Sequence, residues 1–131
     1  YQIIIVTNQS GIARGYFTDK DFNKLTKWML LEFKKNNIHI LDVLHCPHGP
    51  YSDCKCRKPK PGMFLTAKNK YLIDMDKSWM IGDKESDIKA ANDAGIKNTI
   101  IVKNGNNIDY TKSLSKFFIE TIDQSKKIIV D

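Results

Sequence analysis

Nowhere in these 131 residues does an apolar run approach the roughly 20 that a membrane helix needs, so neither a span nor a membrane partner is expected. Low-complexity tracts and internal repeats are missing too, which argues against a linker or a solenoid. Basic residues outnumber acidic ones, 21 to 15, yet no run of five or more cations occurs. No stripe alternates aromatic and basic residues either. The net charge of +6 therefore draws anions, phosphorylated small molecules among them, and nucleic acid is not an expected partner. Cysteine is scarce: the three residues, Cys46, Cys54 and Cys56, are odd in number and crowd one short stretch. That pattern argues against a disulfide framework and for a metal site in a reducing, cytoplasmic setting. A starting Met is also lacking. The chain opens at Tyr1 in what already reads as a strand, so residues are expected to precede it.

What is present suits a single soluble domain over residues 1–131, expected to be monomeric. Hydrophobic residues make up 41% and charged residues 27%, enough to build a core without disorder. Residues 2–6 (QIIIV) form a continuous β-branched run, which predicts a strand buried on both faces, as in parallel sheets. Thr18 is a candidate N-cap with Asp21 three residues on, and Phe22, Leu25, Met29 and Phe33 follow at helical spacing. A second strand is predicted near residues 40–45. Pro61 is placed to open a helix to about Leu72, with Phe64, Ala67 and Tyr71 on one face. Residues 78–81 predict a third strand, 86–94 a helix stopped by Gly95, and 98–102 a fourth strand. Residues 113–122 read as a last helix; residues 126–131 read as a further strand or a frayed end. Strands alternating with helices predict an α/β fold of mainly parallel strands, with ligands at their carboxyl ends.

Cys46, His48, Cys54 and Cys56 form C-x-H-x5-C-x-C. Three thiolates and one imidazole complete a tetrahedral Zn²⁺ with no open position, the pattern of a structural site. Its loop has little apolar content, so a metal clip would offset the entropy of ordering it. His39 and His45 read as packing or surface residues.

Asp83 follows Gly82 at a strand end, and Asp87 lies four residues on, in the first turn of a helix. Hard oxygen donors at such a place suit Mg²⁺ shared with substrate phosphate. For Asp87 alone, a charge favoured by the helix dipole is an equal reading. Thr7 and Asn8 end the first strand, where a hydroxyl, an amide and backbone N–H groups can hold a phosphate. Arg57, Lys58 and Lys60 bring cations to a helix start, where a buried Lys can neutralise a transferring phosphoryl group; a solvated basic loop is the plain alternative.

Taken together, V-T-N-Q-S-G at 6–11, Lys58 in C-R-K-P and G-D-K-x-x-D at 82–87 resemble the second, third and fourth motifs of the haloacid dehalogenase (HAD) superfamily. The fuller strings T-N-Q-S-G-I-A-R-G at 7–15, C-P-H at 46–48 and C-R-K-P-K-P-G-M at 56–63 are similar to its heptose bisphosphate phosphatases and histidinol-phosphatases. The resemblance runs to about Val102. It implies a three-layer Rossmann-like fold, a zinc loop in place of a large cap domain, and a role in carbohydrate metabolism, in heptose precursors of lipopolysaccharide. It also implies roles. Thr7 and Asn8 would bind the transferring phosphoryl group, and Lys58 would contact it and the nucleophile. Asp83 would bind Mg²⁺, Lys84 would order that site, and Arg57 would reach the substrate's other phosphate or its sugar.

One departure is plain. The family's first motif is an Asp-x-Asp pair on a strand preceding the Thr–Asn loop, with a nucleophile and a general acid–base. No such pair precedes Thr7 here, and Asp74-Met75-Asp76 reads as a surface turn. The expectation is a partial record of an active enzyme, inactive as it stands. Hydrolysis of the 7-phosphate of heptose 1,7-bisphosphate is the leading expectation and histidinol-phosphate hydrolysis the alternative. A non-catalytic zinc-stabilised binding module is the reading from another class.

Overall fold

In the computed structural model, residues 1–130 are described, Asp131 of the expected tail lying outside them, and they divide into two compact units, Tyr1–Arg57 and a second that begins at Lys58. The first holds β1 (Ile3–Asn8), α1 (Asp19–Lys35) and β2 (Ile40–Cys46). β1 and β2 pair in parallel, with Val6 beside Leu44 and Asn8 beside Cys46. Parallel neighbours need a crossover, and α1 supplies it. The apolar run of β1 predicts burial on both faces, but Ile4, Ile5 and Val6 are only half-buried, since β1 is one of just two strands in its sheet.

α1 starts where its capping chemistry directs. The Asp21 N–H donates to Thr18 Oγ1 at 3.1 Å, and the Thr18 N–H donates to Asp21 Oδ2 at 2.9 Å. Lys34 and Lys35 fill the last turn, where cations suit the helix dipole. Phe22 is buried against the ring of His45, centroids 4.4 Å apart, and Met29 and Phe33 are half-buried. Leu25 departs from the expected apolar face: with Trp28 and Leu31 it is 59% exposed.

The second unit holds α2 (Gly62–Tyr71), β3 (Trp79–Gly82), α3 (Glu85–Asp93), β4 (Asn98–Val102), β5 (Phe117–Ile119) and a 3-10 helix (Ile122–Lys127). Its strands run parallel in the order β3-β4-β5, with Gly82 beside Ile101 and Ile101 beside Phe118. Ile88, Ile100 and Ile101 are fully buried, each worth about 1.5–3 kcal/mol of apolar burial. Met63, Phe64 and Ala67 of α2 are buried as well. α3 turns Ala90 and Ala91 inward against β3 and β4, and Gly95 ends it at φ +103°, a conformation open to Gly. Trp79 packs its ring against Phe117, centroids 5.7 Å apart.

The helix expected over 113–122 is a strand and a turn instead. Phe117 to Ile119 add to β4, and the 3-10 helix takes the chain to Lys127, so no further strand forms in 126–130. No helix among the described residues is long and apolar enough to cross a membrane.

Candidate functional site

In the first unit, the loop after β2 gathers the four sequence-predicted metal ligands. One ligand atom each from Cys46, His48, Cys54 and Cys56 lies within 4.8 Å of the others. Cys46, fully buried at the end of β2, has its Sγ 3.4 Å from His48 Nδ1 and 3.8 Å from Cys54 Sγ. His48 Nδ1 is 3.2 Å from Cys56 Sγ. Three sulfurs and a ring nitrogen around one point can hold a metal ion, and the donor set is that of a closed structural site. Burial, with the neighbouring thiols, pushes the Cys46 thiol up to about 12. Burial would raise Cys54 too, but hydrogen bonds from the Arg57 backbone and the Ser52 hydroxyl outweigh it and bring that thiol down to about 6. Arg57 Nη1 donates to the His48 carbonyl at 3.3 Å, so this guanidinium braces the loop that carries the ligands.

Thr7 and Asn8 end β1, half-buried, beside that loop. Gln9, which the motif reading passed over, ties the two together. Its N–H donates to the Cys46 carbonyl at 2.8 Å, and its Nε2 donates to Thr7 Oγ1 at 2.9 Å. Gly11 is required here, because a Cβ would stand 2.2 Å from Phe17 Cε1.

In the second unit the carboxyl end of β3 carries the acidic motif. Lys58 Nζ lies 2.7 Å from Asp87 Oδ1, with the two side chains only 10% and 7% exposed. The Lys84 N–H donates to Asp87 Oδ2 at 3.1 Å. Asp87 thus does more than face a helix dipole: it is the counter-ion of a nearly buried Lys58. Gly82 makes room for it, since a Cβ there would approach Asp87 Cβ and Oδ2 to 2.6 Å. Asp83 is exposed, and among the described residues its carboxylate accepts no hydrogen bond. It is a hard oxygen donor available to a cation at the strand end. Lys84 beside it is exposed as well.

Sequence reasoning missed one wall of this end. Asp83 and Lys84 border a cleft of about 450 Å³ whose other side is the loop after β4, with Asn106, Asn107, Ile108 and Lys112. Glu85 clamps the loop, accepting from Ser113 Oγ at 2.7 Å and from the Leu114 N–H at 2.6 Å. Gly105 and the neighbouring asparagines were the available signal for a turn at this point.

Lys58, Asp83, Lys84 and Asp87 therefore belong to the second unit, and Thr7, Asn8, Arg57 and the metal cluster to the first.

Comparison with known proteins bears on the same residues. A family described as HAD-hydrolase-like matches residues 55–120. D-glycero-alpha-D-manno-heptose-1,7-bisphosphate 7-phosphatase of Photorhabdus laumondii is 48% identical over 112 residues, covering 80% of this chain and 61% of that protein. The D-glycero-beta-D-manno-heptose-1,7-bisphosphate 7-phosphatase of Pasteurella multocida is 43% identical over 136 residues, covering 98% of this chain and 74% of that protein. Among solved structures, the D,D-heptose 1,7-bisphosphate phosphatase from B. bronchiseptica, complexed with magnesium and phosphate, superposes with a TM-score of 0.80. It is 26% identical, and the match covers 98% of this chain and 75% of that one. The chain spans about three fifths of the length of the first of these relatives.

Proposed function

The chain belongs to the HAD-hydrolase-like family, and from that premise we propose that it serves a phosphomonoester hydrolase acting on the 7-phosphate of D-glycero-D-manno-heptose 1,7-bisphosphate. The observation that carries this reading is the end of β3. There an unengaged Asp83 carboxylate stands four residues before Asp87, which holds Lys58 at 2.7 Å. A cation site and a positioned ammonium at one strand end are what phosphoryl chemistry asks of a protein: charge neutralisation held ready before the reaction.

The roles follow residue by residue. Asp83 would hold Mg²⁺, which when bound polarises phosphate oxygens and offsets their charge. Lys58, its ammonium oriented by Asp87 at 2.7 Å, contacts the transferring phosphoryl group. Lys84 orders the Asp83 loop. Thr7 and Asn8 offer a hydroxyl, an amide and backbone donors to a phosphate. Arg57 secures the ligand loop through His48 and reaches toward the sugar. Zn²⁺ is the ion that best suits Cys46, His48, Cys54 and Cys56, in a structural role. The reduced thiols suit the cytoplasm. The attacking carboxylate is not among these residues: no Asp-x-Asp precedes Thr7.

The test is phosphate release from the alpha and beta anomers of heptose 1,7-bisphosphate and from histidinol phosphate, side by side, with Mg²⁺ and the complete gene product. Mg²⁺-dependent release from either heptose anomer, lost in Asp83→Asn and in Lys58→Met, is the expected result. Absence of release from every sugar phosphate tried overturns the reading.

A further inference from the structure

Resting on the phosphatase reading, we propose that the cleft beside Asp83 receives the non-reacting end of the substrate, a hydroxyl-bearing chain with a second anionic group. Lys112, Asn106 and Asn107 form its recognition wall.

Placement is the first argument. β3 and β4 are parallel neighbours, so the loop leaving β4 rises at the same end as Asp83. The cleft between them, about 450 Å³, falls in the range of small-molecule sites, roughly 300–1,000 Å³. Ile101 and Ile108 give it an apolar lining suited to the C–H faces of a carbon chain.

The second argument is that the wall is held. Glu85 takes the Ser113 hydroxyl and the Leu114 N–H at one end of the loop. Lys103 pairs with Glu120 at the other. Tyr110 sets its ring edge-on to Phe118, centroids 4.6 Å apart. A ligand would find this wall already ordered, and less entropy would be lost on binding.

The third argument is what the wall leaves uncommitted. Among the described residues, the side-chain amides of Asn106 and Asn107 make no hydrogen bond, and both residues are exposed. Each offers two donors and an acceptor, the complement of vicinal hydroxyls. Lys112 is 85% exposed, and its one ion pair, to Asp109 Oδ2, is long at 3.6 Å. Asp109 spends its other oxygen on the Thr111 N–H and hydroxyl. A surface pair of that kind is worth little, so the ammonium can turn to a phosphate at small cost. Asp83 repels a bare anion, which sorts the two ends of such a substrate. The reacting phosphate lies with the cation, and the other lies toward Lys112.

The experiment is calorimetric titration of the 131-residue chain, in Mg²⁺, with heptose 1,7-bisphosphate and with inorganic phosphate. Wild-type chain is expected to favour the bisphosphate. Lys112→Ala is expected to reduce that preference about tenfold, the worth of one charge-assisted contact, and Asn106→Ala with Asn107→Ala severalfold. Lys97→Ala, an exposed lysine away from the cleft, makes the same change in net charge and should leave the preference alone. If inorganic phosphate fails to bind wild-type chain, the phosphatase reading falls and the inference with it. If both ligands bind and the Lys112 and Asn variants match Lys97→Ala, the inference alone is overturned.

Discussion

Lys58 and Asp87 show how much one buried contact can decide. Both side chains are nine-tenths buried, so the energy of the pair depends on neither charge being left alone. Removing one partner of such a pair typically costs about 3–5 kcal/mol, because the other stays desolvated. Asp87→Ala is therefore expected to lower stability by about 3 kcal/mol in urea denaturation. Lys58→Met combined with Asp87→Leu should recover much of that loss. Gly82→Ala should also destabilise, since the new methyl group must displace the Asp87 carboxyl. The gathering of Cys46, His48, Cys54 and Cys56 was legible in the sequence, because residue type and spacing state ligand chemistry directly. The partner of Asp87 was not. A helix-dipole charge, a metal-supporting carboxylate and a lysine counter-ion look identical until the chain places Lys58 beside it. Likewise nothing in the spacing of Arg57 says that its guanidinium turns back onto the His48 carbonyl.

Among the elements, those with local signals were read well. Thr18 and Asp21 set the start of α1, Gly95 ends α3, and the β-branched runs became β1 and β4. Thr18→Ala is expected to cost about 1 kcal/mol, measurable as a lower thermal midpoint. Asp21 gives the same cap a pH dependence. The Thr18 backbone N–H, then its hydroxyl, hold the Asp21 carboxyl below its usual range. A depressed folded value means that the contribution is present above the unfolded value, near 3.9, and fades as pH falls through the folded one. Helix content followed by circular dichroism from pH 6 to pH 2 should therefore decline less steeply in Asp21→Asn, whose cap does not titrate. The segment over 113–122 was misread because Leu114, Phe117, Phe118 and Ile122 fit a helical period. Non-local pairing settled it: Phe117, Phe118 and Ile119 find a partner in β4, far along the chain, and no local pattern encodes that.

For the molecule as a whole, the cysteine loop is the segment whose order would rest on a bound ion more than on packing. The stretch between β2 and α2 has few apolar anchors and no fully buried residue; the buried Cys46 closes β2 just before it. If Zn²⁺ fills the cluster as proposed, a strong chelator should unfold this loop before the isoleucine core of the second unit. Hydrogen exchange would then show lost protection over residues 46–56 and retained protection over β4. Cys56→Ser should reproduce that effect without a chelator.

The two tryptophans give a means of watching such events separately. Trp28, on α1, is already largely in water, whereas Trp79, on β3, is half-buried against Phe117. Each unit thus contains its own fluorophore, in contrasting surroundings. Emission from Trp79 should shift to the red when the second unit melts, while Trp28 should change mainly in intensity. With either indole replaced by phenylalanine, two melting curves recorded at one wavelength would tell whether the halves of this chain unfold in concert.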